Sequence, residues 1–161
     1  MKFAKIFVIG VGTYILARVL FAIFAPIQAG DHGSVGTVCI SNLKQLSLVQ
    51  LQYAADNDDH FTSSSRWMDS TYPYTKNWDS YHCPSLKSKD EYGYSMSQFM
   101  SLAKQTDDKL STEKPLVFES ATLTKNAHGY LQDFPSPARH EQGVVVTFAD
   151  GRAEFLPRAK K

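Results

Sequence analysis

A histidine beside a carboxylate can take up and return protons, and His140, His128, Glu119 and Asp150 are the residues from which this chain would draw such a pair. No partner nucleophile is legible. There is no G-x-S-x-G elbow and no H-E-x-x-H pair for zinc, His140-Glu141 being only a fragment of one. His140 and Asp150 fall instead into a hairpin pattern. Val144 to Phe148 is a β-branched and aromatic run, Asp150-Gly151 is expected at the two positive-φ positions of a type I′ turn, and Arg152 to Leu156 alternates polar and apolar on the way back. Asp150 then serves the turn, and His140 caps the strand or bonds to a neighbouring backbone group. His140, Asp150 and Gly151 are therefore read as structural, and no catalytic residue is expected.

Three other groups have chemistry available to them. Cys39 and Cys83 are the two cysteines of the chain. In an oxidising compartment a disulfide is the economical reading, and closing a loop of about 45 residues would remove chain entropy worth up to about 4 kcal/mol. Two free thiols, or lipid attachment at Cys39, are the alternatives, the latter lacking a preceding lipobox. Asp56-Asn57-Asp58-Asp59-His60 offers the oxygen ligands that calcium favours, without the central glycine and closing glutamate of an EF-hand loop. Clustered acids after a helix more often form a solvated stop, so no metal and no small-molecule cofactor is expected. Trp67 to Tyr81, rich in tryptophan and tyrosine around Pro73, reads as a loop-rich layer packing aromatics on a sheet. A glycan is the other use of such a cluster.

The elements that position these residues begin with an apolar run. Ile6 to Ala25 is long enough at 1.5 Å per residue to cross a hydrocarbon core of roughly 30 Å. Arg18 opposes insertion by about 2.5–3.5 kcal/mol, and the Ile, Phe, Val and Leu residues around it return about 0.3–0.6 kcal/mol each, so insertion wins. Lys2 and Lys5 precede the run, which keeps the amino end in the cytoplasm and exports the remainder. A cleaved signal peptide, with Ala29 before Gly30 as the cut, is the competing reading; the run exceeds the 7–15 residues usual there. The expected division is an anchor over 1–29 and an exported domain over 30–161. A formal net charge of +1, without a basic cluster beyond Arg158, Lys160 and Lys161, speaks against a nucleic-acid binder.

Gly30, Gly33 and Gly36 predict a break or bend in the helix. A new helix is expected from Thr37 as N-cap to about Ala55, with Ile40, Leu43, Leu46, Leu51 and Ala54 on one side and Ser41, Gln45 and Gln52 on the other. Gln50 falls near the apolar stripe, where a buried amide needs partners. Strands are expected at Leu116–Ser120, Gly143–Ala149 and Arg152–Leu156, with a short one near Tyr92–Ser95. Met96–Lys104 suggests a short helix, and Thr122–Arg139 a long surface connection. The fold class is α+β, a helix against a small antiparallel sheet.

Several stretches, in order, carry a resemblance: Cys39-Ile-Ser-Asn-Leu-Lys-Gln-Leu, Tyr53-Ala-Ala-Asp-Asn-Asp, Trp67, Tyr74-Thr-Lys-Asn77, Tyr81-His-Cys-Pro-Ser85, Tyr92-Gly-Tyr94, Pro115-Leu-Val-Phe118, and His140 followed after nine residues by Asp150-Gly151. From Cys39 to Leu156 the chain resembles the prepilin-type H-X9-DG family of type IV pilin-like, pseudopilin-like proteins. The resemblance implies a pilin-like fold whose N-terminal membrane helix continues into the amphipathic helix. It also implies a non-catalytic role as a structural or accessory component of a pilus or type II secretion-like assembly, with other pilin-like subunits as partners. The bilayer would be engaged through residues 6–25, and the protein would sit single-pass in a bacterial inner membrane with its C-terminal domain periplasmic or at the cell surface. One departure stands out. Phe7 to Gly12 reads Phe-Val-Ile-Gly-Val-Gly, without the Gly-Phe-Thr-Leu-Ile-Glu of the prepilin peptidase site, so a permanently anchored relative is expected. An anchored or secreted binding module for glycan or surface polymer is the alternative.

Overall fold

The computed structural model of the protein describes residues 35–107 and 114–157. They belong to one compact unit spanning Gly33–Lys161. Among the described residues no helix is long and apolar enough to cross a membrane. The apolar run at 6–25, the signal-peptide cut at Ala29 and the glycines at 30 and 33 lie outside them.

Helix α1 spans Val35–Asp56. Thr37 is therefore inside the helix rather than at its N-cap, and Gly36 is helical. Leu43, Leu46 and Ala54 are fully buried, Ile40 and Leu51 pack against the same cluster, and Ser41, Gln45 and Gln52 face solvent. This is the stripe that the 3.6-residue period requires. Each buried leucine contributes about 1.5–3 kcal/mol relative to exposure. Gln50 is fully buried, and its amide is satisfied by Thr62: Nε2 donates to Thr62 Oγ1 at 3.0 Å, and Thr62 Oγ1 donates back to Oε1 at 3.1 Å. The helix ends where Asp58 (φ 53°) and Asp59 (φ 61°) turn left-handed and the Asp59 N–H reaches back to the Ala54 carbonyl at 2.9 Å.

Five strands follow: β1 (Tyr94–Ser97), β2 (Pro115–Glu119), β3 (His128–Gly129), β4 (Val144–Phe148) and β5 (Ala153–Leu156). They form one sheet in the order β3-β1-β2-β4-β5. The α+β class and the three late strands match expectation to within a residue or two. The sheet is mixed rather than purely antiparallel: β3 pairs parallel with β1, Met96 opposite His128, because the long connection after β2 returns alongside β1. Met96–Lys104 is not a helix. Met96 and Ser97 belong to β1, and only Gln98–Met100 makes a single 3₁₀ turn.

The segment from Trp67 is more ordered than a loop layer. Helix α2 (Trp67–Thr75) contains Pro73 and is closed by left-handed Lys76, followed by a 3₁₀ turn at Trp78–Tyr81. Its aromatics turn inward and onto one another. Tyr72 stacks on Trp78 at 4.4 Å between centroids, Trp67 meets Tyr81 at 5.7 Å, and the Trp67 indole N–H donates to the Ala127 carbonyl at 2.8 Å. The principal core thus lies between α1, this aromatic segment and one sheet face. A smaller cluster of Phe118, Val146 and Phe148, covered by Phe134 and Leu156, occupies the other face.

The closing hairpin forms as expected, but through a different turn. Asp150 is not among the residues with positive φ; Gly151 alone takes the left-handed position, at φ 82°. The Gly151 N–H bonds to the Phe148 carbonyl at 3.0 Å and the Phe148 N–H to the Arg152 carbonyl at 2.9 Å. A type I turn followed by a left-handed glycine fits these bonds, whereas a two-residue I′ turn does not. Asp150 contributes through its side chain, Oδ1 accepting from the Arg152 N–H at 2.8 Å.

Candidate functional site

Where α1, the loop after the Trp78–Tyr81 turn, the end of β2 and the entry to β4 meet, four polar side chains converge in the core. Cys39 lies on the sheet-facing side of α1, one turn before Leu43. Cys83 follows the 3₁₀ turn and is fixed by its backbone N–H to the Tyr92 carbonyl at 3.0 Å. Glu119 ends β2 on the same face as Val117, two residues back, so strand alternation turns its carboxylate toward the helix. His140 bridges to Gly143 just before β4.

The distances are short. Cys39 Sγ lies 2.8 Å from Cys83 Sγ, His140 Nε2 lies 2.8 Å from Glu119 Oε1, and Cys83 Sγ stands 3.7 Å from that carboxylate oxygen and 3.9 Å from His140 Nε2. One ligand atom from each of the four residues lies within 4.8 Å of every other. Both cysteines and Glu119 are fully buried, and His140 is 5 % exposed. The second carboxylate oxygen of Glu119 accepts the Val145 N–H at 2.9 Å, and the Tyr94 hydroxyl donates to the His82 carbonyl at 3.5 Å.

Electrostatics in this cluster are coupled. The contact with Cys39 holds the Cys83 thiol below its ordinary value against the opposing effect of burial, with help from Ser85 and Arg139. The same contact and burial push the Cys39 thiol upward. Burial pushes Glu119 up against the opposing pull of the Val145 N–H and His140. Two thiols sharing one proton produce that split, since the donor keeps its proton and the acceptor is favoured as thiolate.

The surroundings hold the cluster in place. Arg139 donates to the Gly93 carbonyl at 2.9 Å and to the Ser120 carbonyl, tying the residue before His140 to the residue after Glu119. Gly93 sits at φ 82°, and a Cβ there would stand 2.7 Å from Leu86 Cδ1 and 3.3 Å from Cys83 Cβ. Only glycine fits that backbone so close to Cys83.

The structure therefore brings together four residues, Cys39, Cys83, Glu119 and His140, that the sequence offered for separate reasons. Cys39 and Cys83 are neighbours, as an expected disulfide requires, and stand here as free thiols. The His140 carbonyl accepts from the nearby Gly143 N–H at 3.2 Å, and its ring reaches Glu119 in the core. Asp150 is on the surface at the far hairpin turn, and His128 is exposed on β3 with Nδ1 near the Asn126 carbonyl. Neither joins the cluster. Asp56–Asp59 shape a turn: Asp56 accepts from the Tyr74 hydroxyl at 3.1 Å, and Asp58 and Asp59 take left-handed backbone. Tyr94 and Arg139 were invisible as site residues, because only strand pairing brings them beside the cysteines.

Proton-relay chemistry is not what this geometry favours. In a thiol–imidazole–carboxylate relay the carboxylate orients one ring nitrogen while the other faces the thiol. Here Glu119 and Cys83 both address Nε2. The donor set suits a cation better: two sulfurs, an imidazole and a carboxylate are zinc ligands, and a fully enclosed set of four is the mark of a structural site. Set beside known proteins, the chain matches no protein-family model, no curated protein and no solved structure.

Proposed function

We propose that this chain is a non-catalytic, pilin-like protein anchored in a bacterial inner membrane, with its α+β domain exported and serving as a structural or accessory component of a pilus or type II secretion-like assembly. The observation that carries the reading is the domain's construction: a 22-residue helix lies along a five-stranded sheet closed by the hairpin of the His140-to-Gly151 stretch. The apolar run at 6–25 supplies the anchor, and the absent prepilin peptidase motif leaves it in place.

The outer face of α1 supports an assembly role. Val38 and Leu48 are 41 % and 51 % exposed on the side turned from the sheet, where a soluble helix would carry charges. They offer apolar ridges to a neighbouring subunit's helix. The aromatic segment speaks for packing over glycan binding, since Trp78 is covered by Tyr72 on one side and approached by the Lys125 ammonium at 4.7 Å.

Mass measurement of the protein extracted from membranes tests the anchor. The expected result is the full-length chain in the membrane fraction; loss of about 29 residues with release from the membrane would overturn it. Cross-linking in intact membranes tests the role, with pilin-like neighbours expected.

A further inference from the structure

We infer that Cys39, Cys83, Glu119 and His140 form a structural site for one divalent zinc-like cation, clamping α1 to the end of β2 and the start of β4. This does not depend on the anchor or on the assembly role. A disulfide would account for the two sulfurs alone. It would leave Glu119 and His140 bonded to each other and to the Val145 N–H, with their position 3.7–3.9 Å from Cys83 Sγ serving nothing. A cation uses all four, and neutralises most of the charge that two thiolates and a carboxylate would bring.

The geometry requires little movement. Zinc bonds of about 2.3 Å to sulfur and about 2.0–2.2 Å to nitrogen or oxygen place tetrahedral ligands roughly 3.3–3.8 Å apart. Cys83 already stands at 3.7 Å from Glu119 Oε1 and 3.9 Å from His140 Nε2. The two shorter contacts, both 2.8 Å, are the thiol pair and the histidine–carboxylate pair. Each is a contact that a cation inserted between its members would replace, by opening them about 0.5–1 Å. An outer contact is present as well: the Val145 N–H holds the second Glu119 oxygen. The donors come from four separate elements, so binding would add to the stability of the assembled fold. No coordination position opens to solvent, which makes the site structural.

The test uses the full-length chain purified in detergent without chelator. Metal content by mass spectrometry is read together with the number of thiols alkylated before and after a chelator is added. The expected result is about one zinc per chain, with both cysteines protected until the chelator removes the metal. Cobalt(II) added to the stripped protein should give the absorption of thiolate-bound tetrahedral cobalt. A chain lighter by two hydrogens, with no metal and no thiol after unfolding, would establish the disulfide and overturn the proposal. Two thiols that alkylate freely, with no uptake of added zinc or cobalt, would overturn it equally. Glu119→Gln and His140→Ala should each weaken zinc binding at least about tenfold. Unchanged affinity in a folded Glu119→Gln variant would remove that residue from the ligand set and overturn the four-ligand site. If a variant does not fold, the wild-type metal and thiol counts still decide.

Discussion

Replacing Glu119 by alanine isolates what the buried carboxylate does for the fold when no metal is present. The side chain is fully buried and accepts from the Val145 N–H at 2.9 Å while meeting His140 Nε2 at 2.8 Å. Truncation leaves two buried polar groups without that partner. At about 1–3 kcal/mol for each unsatisfied group the loss is about 2–6 kcal/mol, against a total stability of about 5–15 kcal/mol for a domain of this kind. With a urea slope of about 2 kcal/mol/M, a loss of about 4 kcal/mol moves the midpoint down by about 2 M. The assay is urea unfolding in chelator and reductant, followed by tryptophan fluorescence. Trp67 and Trp78 are the chain's two tryptophans and both lie in the described domain, so the signal reports that domain alone. Glu119→Ala combined with His140→Ala should cost less than the sum of the single changes by about 1–2 kcal/mol, since either one already breaks their shared contact. A Glu119→Ala midpoint within about 0.3 M of wild type, or strict additivity in the pair, would show that the contact carries no weight and that the reasoning from burial is mistaken.

Gly93→Ala should destabilise by about 1–3 kcal/mol in the same assay, because alanine is strained at φ 82° and its Cβ would press on Leu86 2.7 Å away; a neutral result would mean that the backbone relaxes freely beside Cys83. Burial raises the Tyr81 phenol above its ordinary value despite bonds from Thr71 and Thr75. Its contribution is present below the unfolded phenol's value near 10 and is lost as pH rises from there toward the folded value, so stability should fall above about pH 10 and fall less steeply in Tyr81→Phe. Matching alkaline profiles for the two proteins would discount the buried phenol. Val38→Asp with Leu48→Asp should leave the unfolding free energy within about 0.5 kcal/mol of wild type, since both positions are exposed, yet abolish cross-links to neighbouring subunits in membranes; persistence of those cross-links would place the assembly contact elsewhere.

Periodicity and turn chemistry were enough to read the α+β class, the face of α1 that enters the core, Gln50's place near that face and the closing hairpin. These are local properties: an apolar residue every third or fourth position has one way to bury itself, and a β-branched run before Asp-Gly has few alternatives to a hairpin. The details that sequence reading misplaced depend on what surrounds them. Thr37 looked like a cap because cap preference is judged from neighbours alone, and the type I′ turn was inferred from Asp-Gly although strand register chose a type I turn with Gly151 left-handed. The parallel β1–β3 pair depends on where a long connection happens to return.

That the Cys39–Cys83 pair meets Glu119 and His140 belongs to the tertiary level. Up to 101 positions separate these four residues, and the sequence offered them for separate reasons: Cys39 and Cys83 as disulfide halves, Glu119 as one of the carboxylates that could face a histidine, His140 as a strand cap. Residue type alone determined that these side chains are able to bind protons, sulfur or metal. Only the packing of one helix across two strands decided that their donor atoms share a volume a few ångströms wide, because chain separation sets no distance between groups until the core closes around them.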